Sequence, residues 1–202
     1  TYASAGQAAL LVEERFNYAD GTSEMGAGGD TGFAAASTWG VDGDGTMNIE
    51  SGRPHIVPTT GTTVSLRDLA TTLTDGDDVW IGVTMDMDST DHTRFYGLSL
   101  FNGGSERALI GMSSQQDWMY FDNSGSGANL TGVSPVTGNP GPVRLVVHLT
   151  LQAGNDALEM WVVDEGGAIN LATPDVAGAL GDVGSVTALR IGGGTGNGTT
   201  SF

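Results

Sequence analysis

The sequence predicts an all-β protein, a two-sheet antiparallel jelly-roll sandwich forming a single domain over residues 1–202. Three observations carry that expectation. Apolar residues recur with period 2 along much of the chain, the spacing that turns one face of a strand toward a core. Gly-, Asn-, Asp- and Ser-rich stretches such as "NGGSE", "DNSGSG", "AGND" and "DEGG" separate these runs, and they supply the left-handed and Asx conformations that tight turns require. Helical patterns are almost missing, because "DLATTL" (Asp68–Leu73) and "DVAGAL" (Asp175–Leu180) are too short for ordinary helices. Without crossover helices the sheets are antiparallel, and helix content is expected below about a tenth.

Taken in order, the chain opens with small and polar residues, "TYASAGQAA", and residues 1–8 are expected to form an extended segment. "ALLVEERFNY" then reads as a half-buried strand, with Leu10, Val12, Phe16 and Tyr18 on one face and Leu11, Glu13, Arg15 and Asn17 on the other. "DDVWIGVTM" aligns Val79, Ile81, Val83 and Met85, and "RFYGLSLF" aligns Tyr96, Leu98 and Leu100. "PVRLVVHLTL" aligns Val143, Leu145, Val147, Leu149 and Leu151, and "ALEMWVV" and "VTALRIGG" repeat the pattern. The expected core comprises Val79, Ile81, Val83, Leu98, Leu100, Leu145, Val147, Leu149 and Ile191.

Charge narrows the partners. Seven Lys and Arg against 24 Asp and Glu give a net charge of −17 and an acidic isoelectric point, so nucleic-acid phosphates and anionic lipid surfaces repel the chain. Nucleic acid is therefore not an expected partner. With no apolar run of membrane-spanning length, the protein is not expected to be membrane-embedded. Cysteine is absent, which removes disulfides and thiolate metal or redox centres. Thr1 in place of Met suits an exported bacterial protein from which a leader has been removed.

Several segments in sequence order also resemble a family. "LLVEERFNYADGTSEMGAGGDTGF", "VSLRDLATTL", "DVWIGVTM", "GLSLFNGG" with "ALIGM", "LVVHLTLQAGNDALEMWV" and "ALRIGGG" are similar to the concanavalin A-like (laminin-G-like) jelly-roll modules of exported bacterial proteins, including PEP-CTERM-associated ones. The resemblance implies that the phrase after the last Gly-rich turn continues as a final strand, lying in the sheet with the N-terminal one. The sequence in hand reaches only "GNGTTSF", so the fold is expected to lack that last strand. Two fillers follow. One is the N-terminal segment of a neighbouring subunit, with Thr1, Tyr2, Ala3, Ser4 and Ala5 meeting Ser201 and Phe202; the other is further sequence of the chain itself.

Catalysis finds little support. Endo-glucanases on such a sandwich carry Glu-x-Asp-x-Glu on one strand, because alternation brings the carboxylates into one cleft. That triplet is absent, and the nearest set, Glu159 with Asp164 and Glu165, has a spacing that scatters the acids onto different faces. His55, His92 and His148 lie in unrelated contexts, no G-x-S-x-G occurs, and "GGGTGNG" precedes no helix that could hold a phosphate. The protein is expected not to be an enzyme.

Three binding roles remain. Structural calcium is the one candidate cofactor, otherwise none, with Asp86, Asp88 and Asp91 of "MDMDSTD" as its ligands, where alternate carboxylates share a face and a third returns from the turn. "DGDG" (Asp42, Asp44) and "DGDD" (Asp75, Asp77, Asp78) are further candidates, against the plain reading that Asp is a good turn residue. Extracellular polysaccharide is a candidate partner through "QDWMYFDN", where Asp117, Trp118, Tyr120 and Asn123 mix rings with amides and acid. Asn129 and Asn197 head sequons that matter only in a glycosylating source. Self-association is the leading expectation: a bare sheet edge invites a strand from another subunit, and an open head-to-tail contact propagates as a fibre. The function expected is thus a secreted, non-catalytic structural module of the cell surface or matrix, with a calcium-dependent carbohydrate-binding or adhesion module as the alternative.

Overall fold

Alternating apolar residues fold here into two antiparallel sheets laid face to face. The structure is a computed structural model that describes residues 12–16, 18–23, 31–87, 96–112, 119–123, 128–131, 142–179, 181–194 and 200–201. Its strands are β1 (Gly40–Gly43), β2 (Thr46–Glu50), β3 (Arg53–Val57), β4 (Thr62–Leu73), β5 (Asp78–Met87), β6 (Tyr96–Asn102) and β7 (Ser105–Met112). They continue with β8 (Met119–Asn123), β9 (Ala128–Thr131), β10 (Val143–Thr150), β11 (Ala157–Asp164), β12 (Val176–Ala179), β13 (Val186–Gly194) and β14 (Thr200–Ser201). One sheet runs β1-β4-β13-β6-β7-β8-β9 and the other β12-β11-β10-β5-β14-β3-β2. Every pairing is antiparallel, and no described residue is helical. Of the two short candidates for helix, "DLATTL" falls within β4, and Val176–Ala179 of "DVAGAL" form β12. None of the described segments is a helix long and apolar enough to cross a membrane.

The core lies between the sheets. On β10 the inward residues Val143, Leu145, Val147 and Leu149 are buried while Arg144 is exposed, the alternation expected of a strand with one wet face. β6 is buried over Tyr96–Phe101, because β13 and β7 flank it and side chains cover both of its faces. Gly97 sits opposite Gly111 on β7, and a Cβ on Gly97 would stand 2.4 Å from the Ile110 carbonyl oxygen. Close backbone approach, not turn geometry, thus explains that glycine.

Three expectations change. Leu10 to Tyr18 does not make a regular strand over its described residues: only Glu13 bridges to Thr31, and Phe16 takes φ +49° with its N–H donated to Glu14 Oε1 at 2.9 Å. The cause is Glu14, which falls in the apolar phase and is pulled inward by Arg67, itself 1% exposed. Arg67 Nη1 donates to Glu14 Oε2 at 2.7 Å, and Trp39 Nε1 donates to the same oxygen at 2.9 Å. The Arg67 guanidinium also lies 4.1 Å from the centroid of the Phe33 ring. Second, Ile81 and Val83 are only partly buried, unlike Val79 and Met85 on the same face of β5. Third, the expected missing last strand has a beginning: β14 is a two-residue strand between β5 and β3, with Thr200 opposite Met87 and Ile56 and Ser201 opposite Asp86 and His55.

Candidate functional site

The second sheet turns an unusual row of side chains to solvent. Trp80 on β5, His148 on β10 and Glu159 on β11 are consecutive cross-strand neighbours in one register. The Trp80 ring stacks on His148 with centroids 4.3 Å apart and 9° between planes, and on Trp161 at 5.6 Å and 16°. Both partners come from the β10 side of β5, and Trp80 remains 46% exposed. Trp161 is buried, and its Nε1 donates to the Asn170 carbonyl at 3.0 Å, which anchors the stack from beneath. The result is an aromatic surface held upright by a second ring and an imidazole, with little rotamer freedom left to lose on binding.

Electrostatics fix the imidazole. His148 Nε2 meets Asp78 Oδ1 in a short contact, and His148 Nδ1 lies 3.2 Å from Glu159 Oε2. Partial burial lowers the His148 pKa, but the hydrogen bonds and charges of Glu159 and Asp78 outweigh it, and the net shift is upward. When protonated, the ring donates from both nitrogens, one to each carboxylate. Beside it, a cavity of about 270 Å³ is lined by His148, Thr150, Ala157, Leu158, Glu159, Ala177 and Gly178. Acceptor-rich oxygens next to an exposed indole suit a polyhydroxylated ligand, since each sugar hydroxyl donates one hydrogen bond while the ring face takes C–H groups.

The residues expected from the sequence fare differently. Glu159 turns to His148, Glu165 pairs with Arg53 at 2.5 Å, and Asp164 ends β11 on the opposite phase, so the three acids do not converge. Of the calcium set, Asp86 is described at the end of β5, where its charge adds to burial in raising the Tyr96 hydroxyl pKa. Asp88 and Asp91 lie outside the described residues, among which no group of three metal-ligating side chains occurs. Asp77 Oδ2 accepts the Thr74 N–H at 2.7 Å and Asp44 Oδ2 accepts from Thr60 Oγ1 at 2.9 Å, the turn chemistry that competes with a metal role. Asp117 and Trp118 lie outside the described residues, while Tyr120 and Asn123 belong to β8, opposite Thr131 and Ala128 of β9. Thr1, Tyr2, Ala3, Ser4, Ala5 and Phe202 also lie outside, and Ser201 is in β14. Trp80 and His148 were legible in one respect: each occupies the polar phase of an otherwise apolar alternation.

A second feature lies along the other edge of β5. β10 pairs with β5 over Asp78–Met85, and β14 pairs only with Asp86 and Met87. Among the described residues no strand continues β14 along the rest of that edge. The strip between the sheets is a groove of about 870 Å³, walled by Val79, Ile81 and Val83 and floored by Leu69, Leu98, Leu189 and Ile191 of the facing sheet. Val12, Glu14, Arg15 and Phe16 close one side, so the bare edge belongs to β5 while the N-terminal residues line the same groove.

No protein-family model and no curated protein matches the chain. Among solved structures, the globular domain of T. cruzi calreticulin aligns at 11% identity and a TM-score of 0.49, over 79% of this chain and 77% of that one. The exoplasmic/lumenal domain of VIP36, in a Ca²⁺- and mannose-bound form, aligns at 8% identity and a TM-score of 0.44, over 89% of each chain. At such identities and scores neither assigns a ligand to this protein.

Proposed function

We propose that the chain is an exported, non-catalytic carbohydrate-binding module of the adhesive kind, which takes a neutral extracellular polysaccharide on the outer face of its second sheet. The observation that carries this reading is Trp80: a half-exposed indole locked between strands by stacking on His148 and Trp161. Exposing so much indole on a rigid sheet forgoes the burial that most tryptophans gain, and a stacked sugar restores it. The carboxylates of Asp78 and Glu159 offer acceptors, and the net charge of −17 selects against acidic glycans. Self-association into fibres is the first expectation from the sequence, and the carbohydrate reading is preferred to it because it rests on the Trp80 stack.

The test is titration with neutral oligosaccharides, read by tryptophan fluorescence and calorimetry beside a Trp80→Ala variant whose circular dichroism is unchanged. Saturable binding weakened at least tenfold by Trp80→Ala supports the site. Binding untouched by that change moves the site elsewhere, to "QDWMYFDN" in the first instance. No binding of any neutral glycan overturns the reading.

A further inference from the structure

We propose that the cavity beside His148 is a second sugar subsite, so that the ligand is a chain of at least three β-linked neutral sugar residues laid across β5, β10, β11 and β12. The inference deepens the reading of Trp80 as a sugar platform and rests on it: Trp80 holds one end of the run and the cavity holds the other.

The register sets the line. Trp80, His148, Glu159 and Ala177 are successive cross-strand partners on β5, β10, β11 and β12, and alternation turns all four to the outer face. Asp78, Thr150, Ala157 and Ala179 form the neighbouring row in the same order. Adjacent strands stand about 4.8 Å apart, so the first row spans about 14 Å from Trp80 to Ala177. A sugar residue in an extended chain advances by about one strand spacing, and a chain of about three residues covers that distance. A single sugar on the indole stops short of the cavity. The row crosses the strands in one direction, which suits the extended course of a β-1,4-linked chain and not the coil of an α-1,4-linked one.

The cavity has the make-up of a sugar subsite. Its lining joins the methyl groups of Ala157 and Ala177, both exposed, to the Thr150 hydroxyl, the His148 imidazole and the Glu159 carboxylate. Small apolar groups with polar ones beside them match a pyranose, which has C–H faces and a hydroxylated rim. Pockets that enclose a whole drug-sized ligand run to roughly 300–1,000 Å³. This one, at about 270 Å³, is the right scale for one ring of a longer ligand.

Charge selects the occupant. Glu159 meets His148 through Oε2, and a carboxylate has further acceptor sites for a hydroxyl donor. Both imidazole nitrogens face carboxylates, Asp78 and Glu159, so His148 has no donor to spare for an anion. A sulfated or uronic acid residue also meets repulsion from Glu159 and from the net charge of −17. A metal ion finds one carboxylate in the cavity, and among the described residues no group of three metal-ligating side chains occurs. A neutral sugar satisfies the hydroxyl and the carboxylate together.

The test is a chain-length series. β-1,4-linked oligosaccharides of glucose, mannose and xylose, one to five residues long, are titrated into the full chain by calorimetry and tryptophan fluorescence. Expected in at least one series is a rise in affinity of at least tenfold between two residues and three. Ala177→Phe fills the cavity from an exposed position and should return the three-residue ligand to the affinity of the two-residue one, with circular dichroism unchanged. Thr150→Val keeps the shape and removes a hydroxyl, and should weaken the three-residue ligand about fivefold, the loss of one hydrogen bond; it decides should Ala177→Phe fail to fold. Trp80→Ala should weaken every length. Equal affinity for one, two and three residues, lost in Trp80→Ala, leaves the platform standing and overturns the second subsite. A length dependence untouched by both cavity variants places the further sugars elsewhere and overturns it too. No binding in any of the three series also overturns it, and titration with α-linked glycans then decides the platform separately.

Discussion

His148 shows how one residue joins charge to shape. Its ring supports Trp80 and holds two carboxylates, so its protonation stabilises the platform. The sign follows from the upward shift of its pKa in the folded protein: the stabilising effect is complete below the unfolded value of about 6.5 and is lost as pH rises through the higher folded value. Melting temperature should therefore fall as pH rises above about 6.5, in a step absent from His148→Gln. An identical pH profile in that variant would show that the contacts with Asp78 and Glu159 carry no linkage. Glu14 is the buried counterpart of this arrangement. It receives Arg67, Trp39 and the Phe16 N–H at once, so the nearly inaccessible guanidinium is buried with an ion-pair partner.

At the scale of elements, β10 and β5 are neighbours with unequal surroundings. β10 has β11 on one side and β5 on the other along its whole length, and Leu145 is fully buried. β5 has the groove on its far side, so Ile81 is packed from one direction only. Leu145→Ala should cost about 2–5 kcal/mol, the usual range for a close-packed core site. Ile81→Ala should cost less than half as much, because much of the methyl surface it removes already faces open space. Chemical denaturation of both variants tests this, and equal losses would mean that Ile81 is packed as tightly as Leu145.

For the whole molecule the governing quantity is the charge of −17, which disfavours the compact state through self-repulsion and makes stability rise with salt. Calcium adds a specific term where carboxylates converge. If Asp86, Asp88 and Asp91 hold Ca²⁺, the ion should raise Tm beyond the effect of NaCl at matched ionic strength, and chelation or Asp88→Ala should remove the excess. Equal increments from the two salts would reduce those aspartates to turn residues and surface charge. Screening acts on the entire field, whereas a bound ion acts on one loop, and the mutation separates them.

By itself the sequence determined the class of structure and the two faces of its main strands, because period 2 is a local property. The phases of "DDVWIGVTM" and "PVRLVVHLTL" name Val79, Met85, Leu145 and Leu149 as inward, and all four are buried. Tertiary structure alone decided which outward residues meet. His148 reaches Asp78 across 70 positions and Glu159 across 11, and no local pattern encodes the strand order that makes β5, β10 and β11 adjacent. Glu14 is the instructive intermediate: a carboxylate in the apolar phase was visible in "ALLVEERFNY", but its meaning depended on Arg67, 53 residues away on another strand. Alternation is written in each segment separately, while pairing is chosen by the burial and hydrogen bonding of all segments together.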